Sequence, residues 1–320
     1  MKRTALSLFV DDTHFEPAGQ FRSLVDFCIT QGVRGKVSLI PALNGTLTGL
    51  ATGRPDPGAE AGFLRQLSRA AAHGMDIHME LMTHGKLWDF AAGSQRSDGP
   101  CEGIWLYDPA VSQAEYEAYL GAILDHAARC GVTINGVSVP GCACQDCTRR
   151  WADLQARGCF SVSDNAYAAL LGLAAGGRMG VASVAVYADE ADAAHPTRLI
   201  LSTAGLSVYD ARLDMSVEDL IGFGGQHDAD FYISADGRQG RIADLVLAGA
   251  DQCFFCAHWF AMNPTRPQGW QVFQEIIRRI NATLGDKIEW VRPSDHGARL
   301  LARAAEGEHK EGGQIKEGQT

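Results

Sequence analysis

Short, apolar, β-rich runs alternate with helical patterns along most of this chain, and that alternation limits the architectures open to it. Residues 4–10, 36–40, 73–85, 134–139, 182–188, 198–202, 229–234 and 252–257 read as strands. Between them, helical spacing is expected from Pro17 to Gly32 and at 60–72, 113–129, 148–157, 164–174, 216–222, 239–248 and 269–284. Strands separated by helices imply parallel neighbours, because only a crossover can bring the chain back in the same direction. Eight such strands fit an α/β chain folded as a (β/α) barrel of the TIM type, with a distorted or seven-stranded barrel as a variant. The expected organisation is one catalytic domain over residues 1–303, with a cysteine-rich loop inserted at about 91–150. Residues 304–320, rich in Glu, Gly, Lys and Gln, read as a disordered tail.

Polar residues gather just after the strands: Asp11-Asp12, His84, Cys142 to Cys147, Asp189-Glu190, Asp236 and His258-Trp259. Barrel enzymes carry their chemistry at that end. In the stretch His73 to Gly85, His78, Glu80 and His84 alternate with Met79, Leu81 and Thr83. Side chains two apart on a strand share a face, so an acid and two imidazoles are expected to point one way. Unpaired buried polar groups are costly, so this row needs a reason. Asp11 and Asp12 add adjacent carboxylates, one placed to bind a divalent cation and the other to act as a base; alternatively they cap the next helix. A cation held by Asp, Glu and His would polarise a carbonyl and lower the pKa of bound water to roughly 7.

Cys142, Cys144 and Cys147 form Cys-x-Cys-x-x-Cys. Three thiolates this close suit one tetrahedral zinc and need a fourth ligand, for which Cys101 is the candidate. An iron–sulfur cluster would use the same ligands. A catalytic thiol lacks a nearby His partner in sequence. Cys28, Cys130, Cys159, Cys253 and Cys256 read as small buried hydrophobes. Trp88, Trp105, Trp259 and Trp270 are candidate sugar platforms, or simply core. Asp236-Gly237-Arg238 reads as a substrate contact or a turn.

Composition bears mainly on partners. A formal net charge of −10 argues against nucleic acid, whose phosphates need a basic footprint. No stretch reaches the roughly 18 apolar residues of a membrane span, and no secretory leader is visible, so a cytoplasmic protein without a membrane partner is expected. Nine cysteines in that compartment argue for thiols or metal thiolates. A homo-oligomer is compatible with the sequence.

Leu8-Phe9-Val10-Asp11-Asp12 resembles the first motif of the polysaccharide deacetylase superfamily, also called the chitooligosaccharide deacetylase homology domain. The resemblance implies that Asp11 is a base and Asp12 a metal ligand. The family's second motif follows a helix-ending Gly and carries two metal histidines four apart. Laid ungapped from Gly74, His84 falls on the second histidine and Glu80 on the first. An Asp12–Glu80–His84 set would be harder and more anionic than an Asp-His-His set, and His14 or His78 could supply an imidazole instead. Val137-Ser138-Val139-Pro140-Gly141 is similar to the third motif without its Arg, and His258 is similar to the late histidine that serves as general acid. The cysteine pattern resembles the structural zinc site of barrel β-galactosidases, although the Asn-Glu that precedes it there is absent here.

The resulting expectation is a metal-dependent hydrolase of a small-molecule or oligosaccharide substrate. Asp12, Glu80 and His84 would hold a catalytic metal, Asp11 would activate water, and His258 would protonate the leaving group. A structural zinc would sit on Cys101, Cys142, Cys144 and Cys147. The alternatives are a glycoside hydrolase with a catalytic carboxylate pair drawn from Asp11, Glu80, Asp189 and Asp236, and an inactive sugar-binding barrel.

Overall fold

A computed structural model describes residues 3–16, 19–139, 145–157, 162–179, 183–187, 197–203, 206–211 and 228–312. The strands are β1 (Thr4–His14), β2 (Gly35–Ile40), β3 (Met75–Met79), β4 (Trp88–Asp89), β5 (Ser94–Gln95), β6 (Gly136–Ser138), β7 (Ser183–Tyr187), β8 (Thr197–Thr203), β9 (Leu206–Ala211), β10 (Gln252–His258) and β11 (Ile288–Trp290). One sheet runs in the order β10-β1-β2-β3-β6-β7-β9-β8, and β11 pairs with the first residues of β1. Its pairs are parallel except β8 with β9. The sheet is a curled half-barrel with helices packed outside; among the described residues β8 and β10 are not paired to close it.

Alternation along β1 sorts its side chains between two cores. Leu6, Leu8 and Val10 join the large core between sheet and helices. Ala5 and Phe9 point into the curl, where they meet Phe254, Cys256 and Val291. The expected helices at 60–72, 113–129, 164–174 and 269–284 correspond to Ala59–Ala72, Gln113–Arg129, Asp164–Ala175 and Pro267–Leu284. Ser112 and Glu115 form a reciprocal capping box that starts the second of these where the sequence predicts it.

Three expectations are corrected. Residues 229–234 are not a strand: the Asp228 carboxylate accepts from Phe231 N–H and nucleates a single helical turn, Ala229–Tyr232. β9 pairs antiparallel with β8, a strand that the alternation does not anticipate, and the helix expected at 216–222 lies outside the described residues. The helix Pro293–Gly312 takes in part of the stretch read as a tail. Its first turn closes the floor of the curl: Ser294 N–H and Oγ–H both donate to Asp76 at 2.8 Å, and His296 Nε2 lies 3.0 Å from Gln252 Oε1. Among the described residues no helix is long and apolar enough to cross a membrane.

Candidate active site

The site begins at an irregularity. The β1–β2 register shifts between Val10 and Thr13, and Asp12 takes a left-handed backbone with φ 60°. A bulge of this kind re-aims side chains that strict alternation would send to opposite faces. Asp11 and Asp12 are both buried at the mouth. Neither caps the following helix, whose N-cap is Gly19 with no side-chain bond.

Asp11 is met by a cation that the sequence reading overlooked. Lys36, on β2, is wholly buried, and its ammonium is ion-paired with Asp11 Oδ1. It also donates to Ser38 Oγ and Ser138 Oγ, each at 2.6 Å, and stands 4.9 Å from the Phe9 ring centroid. Ser38 Oγ–H donates to Asp11 Oδ1 at 2.6 Å, and Cys256 Sγ lies 3.0 Å from Asp11 Oδ2. Burial alone would raise the Asp11 carboxyl; the Lys36 and His258 charges outweigh it and, with the Cys256 and Lys36 hydrogen bonds, hold it at about 2. A signal was present in the sequence: Lys36 and Ser38 alternate with Val37 and Leu39, the same two-residue spacing as His78 and Glu80.

Among the described residues no lysine or arginine is paired with Asp12; its basic neighbour is the His84 imidazole. With Glu80 and His84 it forms a group whose nearest ligand atoms all lie within 4.8 Å of one another. His84 Nε2 stands 3.0 Å from Asp12 Oδ1 and 3.5 Å from Glu80 Oε1, while Glu80 Oε2 accepts from Asp12 N–H at 3.0 Å. Despite the imidazole nearby, Asp12 Oδ1 is buried and lacks a hydrogen bond of acceptable geometry. Burial, followed by the Asp12 and Asp11 charges, pushes the Glu80 carboxyl well above its usual range. Two converging carboxylates, an imidazole and an orphaned acceptor fit a hard or borderline divalent cation.

His84 does not arrive by strand alternation. β3 ends at Met79, and the chain then turns through Leu81 at φ 54° and His84 at φ 55°. That turn folds His84 back over Glu80. His78 does lie on the same face as Lys36 and Ser38, but its Nδ1 is 3.5 Å from Ser138 Oγ and its Nε2 has no hydrogen bond. Burial and the Lys36 charge hold its imidazole well below the usual range. His14 is not brought into the Asp12–Glu80–His84 group; its Nδ1 lies 2.8 Å from the Asp12 carbonyl oxygen, because the bulge turns it back along its own strand.

His258 pairs in register with Asp11 at the end of β10, and its Nδ1 is 4.0 Å from Cys256 Sγ. Asp11, Cys256 and His258 form a second close group. Cys256 is therefore buried, as expected, but it faces the chemistry. Asp236 sits in an exposed turn, accepting from Ser234 Oγ–H and Arg238 N–H, which removes it from the carboxylate candidates. Trp88, Trp105 and Trp259 are buried in the core and offer no face to a sugar.

Asp189, Glu190, Cys142, Cys144 and Cys159 lie outside the described residues. Cys147 is described only as part of the helix Gln145–Ala156. Cys101 is buried beside Lys86, with which it forms an isolated antiparallel bridge.

No family model matches the chain, and no curated protein does. Among solved structures, a "putative polysaccharide deacetylase" from Mycobacterium smegmatis is similar at TM-score 0.52 and 12% identity, over 95% of this chain and 92% of that one. The Xyl-CE4 domain of a multidomain xylanase from the hindgut metagenome of Trinervitermes trinervoides aligns at TM-score 0.42 and 11% identity, covering 92% and 89%. A "T48 deacetylase with substrate" aligns at 0.38 and 8%, covering 91% and 88%. At such identities the likeness to the mycobacterial protein is one of fold: the chain folds as a distorted (β/α) barrel similar to that protein's.

Proposed function

We propose that the protein is a metal-dependent hydrolase that removes an acyl group, held as amide or ester, from a carbohydrate-type substrate. The observation that carries this reading is Asp12 Oδ1, buried without a hydrogen bond in a group completed by Glu80 and His84. The fold likeness to the mycobacterial protein supports the same chemistry. A divalent cation on Asp12, Glu80 and His84 would polarise the acyl carbonyl and acidify a water.

Asp11 is the base. Lys36 and Ser38 occupy its Oδ1, fixing the carboxylate plane and keeping it ionised. Its Oδ2, beside Cys256 Sγ, takes the proton from the attacking water. His258, partly exposed and next to Asp11 across the β1–β10 ladder, delivers a proton to the departing nitrogen or oxygen. The glycoside hydrolase alternative is less well supported, because Asp236 lies in a surface turn and Asp11 is tied to a lysine.

The test joins metal content with acetate release from acetylated oligosaccharides. One divalent ion per chain, lost on chelation and in H84A and D12A together with acetate release, is the expected result. Wild-type protein that releases acetate undiminished after complete chelation would overturn the reading.

A further inference from the structure

Glu102 has no part in the chemistry above, yet it is completely buried. Every polar contact described for its carboxylate is a donor pointed at it. Oε1 accepts from Met82 N–H at 3.0 Å, and Oε2 accepts from Thr83 N–H at 2.8 Å and His84 N–H at 3.0 Å. The Tyr119 hydroxyl donates to Oε1, and Tyr119 itself is fixed by Trp88 N–H at 2.8 Å. Glu102 N–H in turn donates to the Gly85 carbonyl at 2.7 Å. One residue thus ties down four consecutive residues, 82 to 85, around His84.

That segment needs holding. Leu81 and His84 are non-glycine residues at φ 54° and 55°, a left-handed backbone state that crowds an L side chain. The left-handed turn at His84 is also what sends its ring toward Asp12 and Glu80. Thr83 adds a local clasp, its Oγ accepting from Gly85 N–H at 3.0 Å and donating to the Lys86 carbonyl at 2.8 Å. Ala42 N–H and Asn44 N–H hold the Met82 and Thr83 carbonyls at 2.7 and 3.1 Å, and Glu102 takes the amide side of the same segment, including the His84 N–H.

We propose that Glu102 is a positioning residue for the cation site: it holds the strained 82–84 backbone so that His84 meets Asp12 and Glu80, and thereby sets divalent-metal affinity. This rests on the reading of Asp12, Glu80 and His84 as metal ligands. A group that orients a ligand in this way is worth roughly 10- to 100-fold in metal affinity.

The experiment titrates wild type, E102Q and E102D with Zn²⁺ against a chromophoric chelator, and records the visible spectrum of the Co²⁺ form. Gln places an amide NH₂ against backbone N–H groups; Asp keeps the carboxyl but is one methylene too short to reach all three amides. Both variants should bind Zn²⁺ roughly 10- to 100-fold more weakly, with an altered Co²⁺ spectrum. The rise in Tm on adding metal should shrink more than Tm in chelator falls, a split that a purely structural loss does not produce. Folded variants with wild-type affinity and spectrum would overturn the proposal while leaving the metal-site reading standing. Variants that stay unfolded at saturating metal would make Glu102 a folding residue and overturn it too. A wild-type protein that binds neither ion would remove both.

Discussion

The mouth and the floor of the curled sheet both bury carboxylates, and they answer the charge in opposite ways. At the floor, both oxygens of Asp76 accept from Ser294, and burial pushes its carboxyl up to about 6, so a proton can relieve it. At the mouth, Lys36 keeps Asp11 ionised, while Asp12 and Glu80 face each other with His84 as the nearest basic group. The floor is built from short-range hydrogen bonds that lock a helix onto the barrel. At the mouth Asp11 keeps its negative charge beside Lys36, whereas burial and the neighbouring carboxylates push Glu80 well above the usual range, a charge problem that the proposed cation would relieve. Burial is similar at the two ends; the arrangement of partners separates structure from chemistry.

The largest effect that would sharpen this contrast is at the base. D11N should lower acetate release by about 10²- to 10⁴-fold while leaving bound metal in place, measured as kcat alongside metal content. A variant that loses the metal equally would mean that Asp11 belongs to the ligand set.

Lys36 comes next. K36M leaves a buried carboxylate without its cation and should cost about 3–5 kcal/mol in denaturant unfolding. The double variant K36M/D11N should recover part of that loss, since both ends of the pair are gone. Strictly additive losses would break the proposed pairing.

At the floor the effect depends on pH. Asp76 titrates higher when folded than its ordinary 3.8, so its contribution is full below that value and is lost as pH rises through about 6. The difference amounts to about 3 kcal/mol. His296, lowered to about 4 chiefly by burial, acts in the opposite sense: its contribution is present above 6.5 and is lost as pH falls. Subtracting the D76N stability curve from the wild-type curve between pH 4 and 7 isolates the carboxylate. A flat difference would mean that Asp76 is ionised throughout, like Asp11. The smallest effect belongs to S138A, which removes one of the hydroxyls on Lys36 and should cost about 1 kcal/mol.

Much of this was legible from local pattern. β1, β2, β3, β6 and β10 lie where apolar runs end in polar residues, and the capping box places the helix Gln113–Arg129. Glu80 and His84 stand out by residue type and spacing, the family resemblance joins Asp12 to them, and the fold brings the three together. Other features were not legible, for a physical reason in each case. Lys36 carries no local sign of its pairing, because its Asp11 and Ser138 partners are 25 and 102 residues away in the chain. Glu102 gave no signal, since its role depends on backbone amides about 20 residues earlier and on Tyr119 from another helix. The capping turn at Asp228 outweighed a weak strand pattern at 229–234.

By itself, the sequence determined that strands and helices alternate and that carboxylates and imidazoles cluster after strand ends, because periodicity and residue type are properties of short segments. Only the tertiary structure decided which carboxylate pairs with a lysine and which meets an imidazole. That choice turns on a bulge at Asp12, a left-handed turn at His84 and a lysine from the neighbouring strand. Each sets the direction of a side chain in space, and direction across strands cannot be read from order along the chain.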